Sequence, residues 1–162
     1  MLIRGEARSD VEGVQAVELA AFPTAAEAEL VERLRRDGDV VLSLAGVEGA
    51  RIVGHALFSR MTAPFRALGL GPVAVAPDRQ RSGLGGRLIE AGLAQARAAG
   101  WQAVFVLGDP AYYGRFGFGV EQATGFSSPY AGPYLMVRPL QGDALPVMSG
   151  VIAYAPAFDA LE

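Results

Sequence analysis

The order of predicted elements points to a mixed α/β (α+β) sandwich: a mostly antiparallel central sheet with one parallel crossover and helices on both faces. Three observations carry this. Two helical segments precede three consecutive strand-like runs, which favours antiparallel neighbours. A long amphipathic segment at residues 83–99 then separates the third run from a nearly continuous apolar run at 101–107. That is the pattern of a strand–helix–strand crossover into a strand covered on both faces. The last third is rich in Gly and Pro, so the strand–helix alternation of a doubly wound sheet is missing.

Each element has a local reason. Residues 2–7 read as a short first strand. Ser9 and Glu12 have capping-box spacing and predict a helix with Val11, Val14, Val17 and residues 19–21 in its apolar face, ending before Pro23. A second helix is predicted over 24–36, with Ala28, Leu30, Val31 and Leu34 inward and Glu27, Glu32, Arg33 and Arg36 outward, stopped by Asp37-Gly38. Strands at 39–47 and 51–60 flank the turn Glu48-Gly49-Ala50 as a hairpin. A third strand at 68–76 contains Pro72, which lacks a ladder donor and predicts an edge, a bulge or a local splay. Gly100 closes the long helix. Asp109-Pro110 predicts the cap and first turn of a short helix, followed by hairpins, loops and a late strand at 134–140.

Composition narrows the chemistry. The 162 residues read as a single domain over 1–162, and with 51% apolar and 19% charged residues the chain can bury a large core. A net charge of -3 argues against nucleic-acid or anionic-membrane partners. No Cys is present, which excludes thiolate nucleophiles, acyl-cysteine intermediates and zinc-thiolate sites. One His (His55) is too few for a multi-histidine metal site, so no metal is expected. All 14 basic residues are Arg, so a P-loop lysine and a Schiff-base lysine are both excluded. Charges at Arg4, Glu6, Arg8 and Asp10 are unlike a signal peptide, and the long uncharged runs fall short of the roughly 18 apolar residues of a membrane span. A cytoplasmic location is expected.

The segment that carries chemistry is Val73-Ala74-Val75-Ala76-Pro77-Asp78-Arg79-Gln80-Arg81-Ser82-Gly83-Leu84-Gly85-Gly86-Arg87-Leu88. A strand ends, a basic turn follows, and glycines open a helix. The first amides of a helix lack partners and point along the positive end of its dipole, so they bind anions. Glycines let a phosphate approach them, and Arg79 and Arg81 add charge. The segment therefore reads as a phosphate or pyrophosphate cradle, with a glycine-rich turn serving only strand–helix packing as the plainer alternative. Leu88 stands where the dinucleotide fingerprint needs Gly.

Gln80-Arg81-Ser82-Gly83-Leu84-Gly85 resembles the Q/R-x-x-G-x-G/A pyrophosphate loop of the GNAT superfamily of N-acetyltransferases, and residues 73–77 resemble the strand before it. Residues 107–118, with Tyr113, Gly117 and Phe118, resemble the family's Tyr-x-x-x-Gly-Phe element. Their wording, with Gly54-His55-Ala56-Leu57-Phe58-Ser59 and Tyr154-Ala155-Pro156-Ala157-Phe158, is similar to the YhbS-like subgroup. The resemblance implies acetyl-CoA as co-substrate and direct transfer of acetyl to an amine, which needs no protein nucleophile. It implies that the amides of Arg81, Ser82, Gly83, Leu84, Gly85 and Gly86 hold the pyrophosphate. Val73, Ala74 and Val75 would run beside the pantetheine arm, with a splay near Pro72 freeing an amide for an oxyanion-hole role. Tyr113 takes the general-acid position, a phenol of ordinary pKa about 10 being protonated at neutral pH. Packing under Phe116-Gly117-Phe118 is its plainer reading, and Tyr112 reads as structural or substrate-facing.

Two family features are missing. The chain has no Asn to bind CoA before the short helix, where Asp109 or a backbone group near Gly108 would substitute. The strand at 68–75 has no carboxylate to serve as base. His55 titrates in the right range but also reads as a core histidine; Glu27 and Glu29 read as solvated charges. Phe65, Phe126, Tyr130 and Tyr134 suggest an aromatic acceptor region. A non-catalytic acyl-CoA-binding or sensor protein on the same fold is the alternative function. The acceptor stays open, as does a homodimer.

Overall fold

The computed structural model describes residues 1–161. Strand β1 (Leu2–Gly5) leads through a 3-10 turn into helices α1 (Val11–Ala21) and α2 (Ala26–Asp37). Strands β2 (Val40–Glu48), β3 (Arg51–Arg60) and β4 (Ala67–Val75) follow, and α3 (Leu84–Ala98) crosses to β5 (Ala103–Leu107). After the one-turn helix α4 (Pro110–Tyr113) come β6 (Phe126–Ser127), β7 (Leu135–Pro139) and β8 (Gly150–Val151). The main sheet has the order β1-β2-β3-β4-β5-β7, and only the β4–β5 pair is parallel. The expected mixed, mostly antiparallel sheet is the observed one. No helix among the described residues is long and apolar enough to cross a membrane.

Helices cover both faces, and a register shift decides which side chains meet them. Gly46 pairs with Gly54 but Val47 with Ile52, so Val53 is an extra residue that reverses the alternation along β3. Ile52 therefore faces Gly13 of α1, whereas Phe58 faces Gly92 of α3. A Cβ on Gly92 would stand 2.1 Å from a ring carbon of Phe58, which is fully buried and has nowhere to move. Gly92→Ala is expected to destabilise the fold by about 1–3 kcal/mol through overpacking, despite the helix preference for Ala. Gly114→Ala, which meets nothing within 4 Å, should stay within about 0.5 kcal/mol. Urea unfolding of the two variants checks the contrast.

Three local expectations are corrected. The box predicted at Ser9 and Glu12 is not formed; instead Asp10 accepts from the amide of Ala7 at 2.6 Å and pairs with Arg4. A turn of 3-10 helix at Arg8–Asp10 then precedes α1, and Ser9 caps nothing. In α1, Val11 and Leu19 are exposed while Glu18 is fully buried beside Val14 and Val17. A charged residue took the inward position because a buried partner, described below, neutralises it. Finally, β6 and β8 pair in parallel as a separate two-residue ladder, so the last third holds loops and 3-10 turns in place of most of the expected hairpins. The inward set of α2 (Ala28, Leu30, Val31, Leu34) is buried as predicted, and Gly38 caps it with φ 76°.

Candidate active site

The site begins where the sheet opens. Strands β4 and β5 are paired only from Ala67↔Ala103 to Leu70↔Val106, although β4 continues to Val75. On the other side of β4, Ala56 pairs with Val73 and Phe58 with Leu70, so Gly71 and Pro72 together oppose Leu57 as a bulge. Beyond the bulge Ala74 pairs with His55, and Ala76 N donates to Val53 O at 2.9 Å. By the alternation of a strand, Ala74 turns its backbone to β3 and Val73 and Val75 turn theirs to the opening. The Val75 carbonyl there accepts from the Gln80 side chain at 3.1 Å. Pro72 thus sits at a splay, and the strand beyond it keeps a half-buried edge without a neighbouring strand.

That edge leads to the N-terminus of α3. Gly83 (φ 83°) caps the helix and Arg81 is the non-glycine residue with positive φ (65°) in the turn before it. The first intrahelical bond runs from Arg87 N to Gly83 O, so the amides of Leu84, Gly85 and Gly86 have no acceptor within the helix. Leu84 itself is buried, its side chain fitted against Gly46 and Gly54 of the sheet. An open groove of about 840 Å³ runs over this turn, bounded by Val75, Arg81, residues 83–87, Tyr112 and Arg115. Of the two arginines read as adding charge, Arg79 is committed to a bidentate pair with Glu48 and to Asp78, which Arg51 also holds at 2.8 Å. That Arg51 partner keeps the Asp78 carboxyl at about 2. Arg81 and Arg87 line the groove with no ion pair among the described residues. The place of Arg87 at the groove follows from its position on the first turn of α3.

The two tyrosines separate. Tyr112 lines the groove, its hydroxyl 3.2 Å from where a Cβ of Gly85 would lie, with the Arg115 guanidinium stacked on its ring at 4.5 Å. Tyr113 packs on Gly108, just past the end of β5, and edge-on to Phe118 and Tyr112. It therefore stands where β5 ends and the two parallel strands have parted. Burial, with a smaller contribution from Tyr112, pushes its phenol up to about 12. Asp109 caps α4, its side chain accepting from Ala111 N at 2.9 Å. Phe65, Phe105 and Phe126 form a packed aromatic cluster instead of a pocket wall, Tyr130 packs on Tyr154, and Tyr134 projects outward at 62% exposure. The four aromatics do not gather into one acceptor region.

His55 belongs to neither tyrosine. It is fully buried, with Nδ1 2.7 Å from Glu18 Oε2 and Nε2 2.8 Å from Ser43 Oγ. Ser43 donates to Glu6, whose other oxygen accepts from Arg35 at 2.5 Å; His55 Nε2 lies 3.7 Å from Glu6, so that link runs through the serine. Burial alone would lower the imidazole, but the two carboxylates outweigh it and His55 is raised above 6.5. Burial likewise raises Glu18, only partly offset by His55. Glu6 is lowered to about 2, as the nearby His55 and the hydrogen bonds from Ser43 and Arg35 overcome its burial. A raised histidine adds stability that is complete below 6.5 and lost as pH rises through its folded value. The melting temperature is therefore expected to fall above pH 6.5, and His55→Gln to flatten that limb. A limb kept in full by the variant would assign it to other groups. Against the expectation of a solvated charge, Glu27 Oε1 is buried with no hydrogen-bond partner among the described residues, whereas Glu29 is exposed.

The sheet thus splays beside a helix N-terminus whose first amides have no acceptor within the helix. The chain belongs to the acetyltransferase (GNAT) family, whose model matches residues 11–118. It is 33% identical over 165 residues to the uncharacterized N-acetyltransferase YhbS of Escherichia coli (strain K12), spanning 98% of this chain and 99% of that protein. It is 40% identical over 135 residues to the uncharacterized N-acetyltransferase YjhQ of the same strain, 78% of this chain and 72% of that one. The crystal structure of the Escherichia coli GNAT family protein YhbS in complex with CoA matches with a TM-score of 0.91 at 32% identity, over 98% of this chain and 91% of that one. A GNAT family acetyltransferase from Brucella melitensis in complex with acetyl-CoA matches with a TM-score of 0.82 at 36% identity, over 98% and 97%.

Proposed function

We propose that this chain acts as one domain that transfers acetyl from acetyl-CoA to a primary amine by direct attack in a ternary complex. The observation that carries this is the continuous path from the splayed β4 edge to the α3 amides, with Tyr113 where the strands part. The relatives solved with CoA and acetyl-CoA support the choice of co-substrate. In this reading the amides of residues 81–86, with Arg81 and Arg87 beside them, hold the pyrophosphate. Val73 and Val75 bond the pantetheine arm as an added strand. The Val73 N–H, first on the open edge after Pro72, donates to the thioester oxygen as it becomes an oxyanion. The amine nitrogen then bonds to the acetyl carbon and sheds a proton to solvent, the carbon–sulfur bond breaks, and the thiolate takes a proton from Tyr113, whose phenolate is reprotonated from solvent. A phenol held at about 12 stays protonated at neutral pH and keeps its hydrogen available for that moment.

Strand β4 carries no carboxylate, and this favours a second reading, an acyl-CoA-binding protein without turnover. Calorimetric titration with acetyl-CoA and with CoA, followed by thiol release in the presence of primary amines, tests both. Micromolar binding with amine-dependent thiol release supports the enzyme, and binding without release supports the sensor. No binding to either overturns the cradle. The chain has no Cys, so every thiol detected comes from the co-substrate.

A further inference from the structure

A base for the attacking amine is missing from β4, whose nine residues carry no ionisable side chain. A buried carboxylate on α1 is hydrogen-bonded to a histidine that stands one strand away. His55 is the β3 partner of Ala74, directly between Val73 and Val75, so it lies one strand spacing, about 5 Å, from the edge assigned to the pantetheine arm. From His55 the hydrogen bond at Nδ1 runs to Glu18 on α1. Glu18 is 0% exposed, its Oε2 is held by His55, and its Oε1 has no hydrogen-bond partner among the described residues. A buried charged oxygen left unpaired in a folded protein calls for an explanation, since its desolvation is costly unless something fills it. On the other side, exposure rises from His55 at 0% to Glu6 at 4% and Arg35 at 28%, where both line an outer groove. One end of the chain is thus braced toward solvent and the other ends in an unfilled lone pair.

We propose that Glu18 Oε1 is the proton acceptor for the amine substrate, directly or through one water, and that His55 is the positioning residue that holds the carboxylate in place. This rests on the reading of the chain as an amine acetyltransferase. The ammonium N–H bond breaks with its electron pair left on nitrogen, the proton goes to Oε1, and the freed pair attacks the acetyl carbon. The substrate class is then a cationic primary amine. The charged groups around Glu18 are His55 from β3, Glu27 and Arg35 from α2 and, through Ser43, Glu6 just past the end of β1. Glu27 also has an unpartnered buried oxygen and adds negative charge that favours an ammonium.

The test uses the full chain with acetyl-CoA and three probe amines: 1,4-diaminobutane, spermidine and an alanine-initiated tripeptide. Thiol release is followed from pH 6 to 10. For E18Q we expect kcat to fall about 100-fold or more at pH 7, with acetyl-CoA binding by calorimetry unchanged. The loss should shrink as pH rises and solution deprotonates the amine. H55Q should lower kcat less and shift the pH profile. A folded E18Q with wild-type kcat and pH profile overturns this inference and leaves the acetyltransferase reading standing. Wild-type protein that binds acetyl-CoA yet releases no thiol with any probe overturns both. Should E18Q fail to fold, Glu18→Asp keeps the charge while withdrawing it by one methylene, and the same pH-dependent loss is expected; wild-type rates there overturn the inference.

Discussion

Tyr113→Phe is expected to lower turnover about 100- to 10,000-fold while acetyl-CoA affinity stays at the wild-type value. The substitution removes one hydroxyl and keeps the ring that packs on Gly108 and Phe118, so the end of β5 should hold its shape. The ring lies outside the groove over α3, which is why binding should survive. What is lost is the donor at the point where sulfur leaves, and a thiolate then departs without its proton. Steady-state thiol release and calorimetry on the same preparation separate the two effects. Undiminished turnover would remove Tyr113 from the mechanism. Tyr112→Phe is the matched control: its hydroxyl faces Gly85 in the groove, so its loss should appear in acetyl-CoA affinity before turnover.

Gly85→Leu is expected to weaken acetyl-CoA binding about 100-fold, as two charge-assisted hydrogen bonds of about 1.5 kcal/mol each are blocked. Gly85 is in the first turn of α3, carries no positive φ, and is half-buried at the groove wall. Leu suits a helix, so folding should be retained. Its Cβ would come within 3.2 Å of the Tyr112 hydroxyl, and the remaining side chain would cover the amides of Gly85 and Gly86. An unaltered melting temperature with lost binding is the expected pair of results. Affinity at the wild-type level would assign the glycines to strand–helix packing. That packing already has other residues to serve it, since Leu84 fits against Gly46 and Gly54 of the sheet.

Much of this was legible in the linear order. The apolar run at 101–107, the isolated long helix and Pro72 specified a crossover and a splay because each constrains its own backbone: a strand covered on both faces, a helix with one apolar stripe, a residue without an N–H. The glycine pattern at 83–86 and Asp109-Pro110 specified two helix starts for the same local reason. The motifs also marked Tyr113 and residues 73–75, although not that Ala74 turns its backbone to β3 while its neighbours face the opening.

The rest needed three dimensions. Glu18 is absent from the apolar face predicted for its helix, and His55 reads as a lone histidine in a strand. Only the docking of α1 on β3, with β1 and β2 alongside, brings Glu18, His55, Ser43 and Glu6 into one buried chain, drawn from positions 37 and 12 residues apart. Arg79 looked like a phosphate ligand beside glycines until the β2–β3 hairpin delivered Glu48 to it. The aromatics of the acceptor region dispersed because core packing claimed Phe65 and Phe126. Backbone-determined features were fixed by neighbours in sequence, whereas the protonation and pairing of charged side chains depended on long-range contacts that no local pattern encodes.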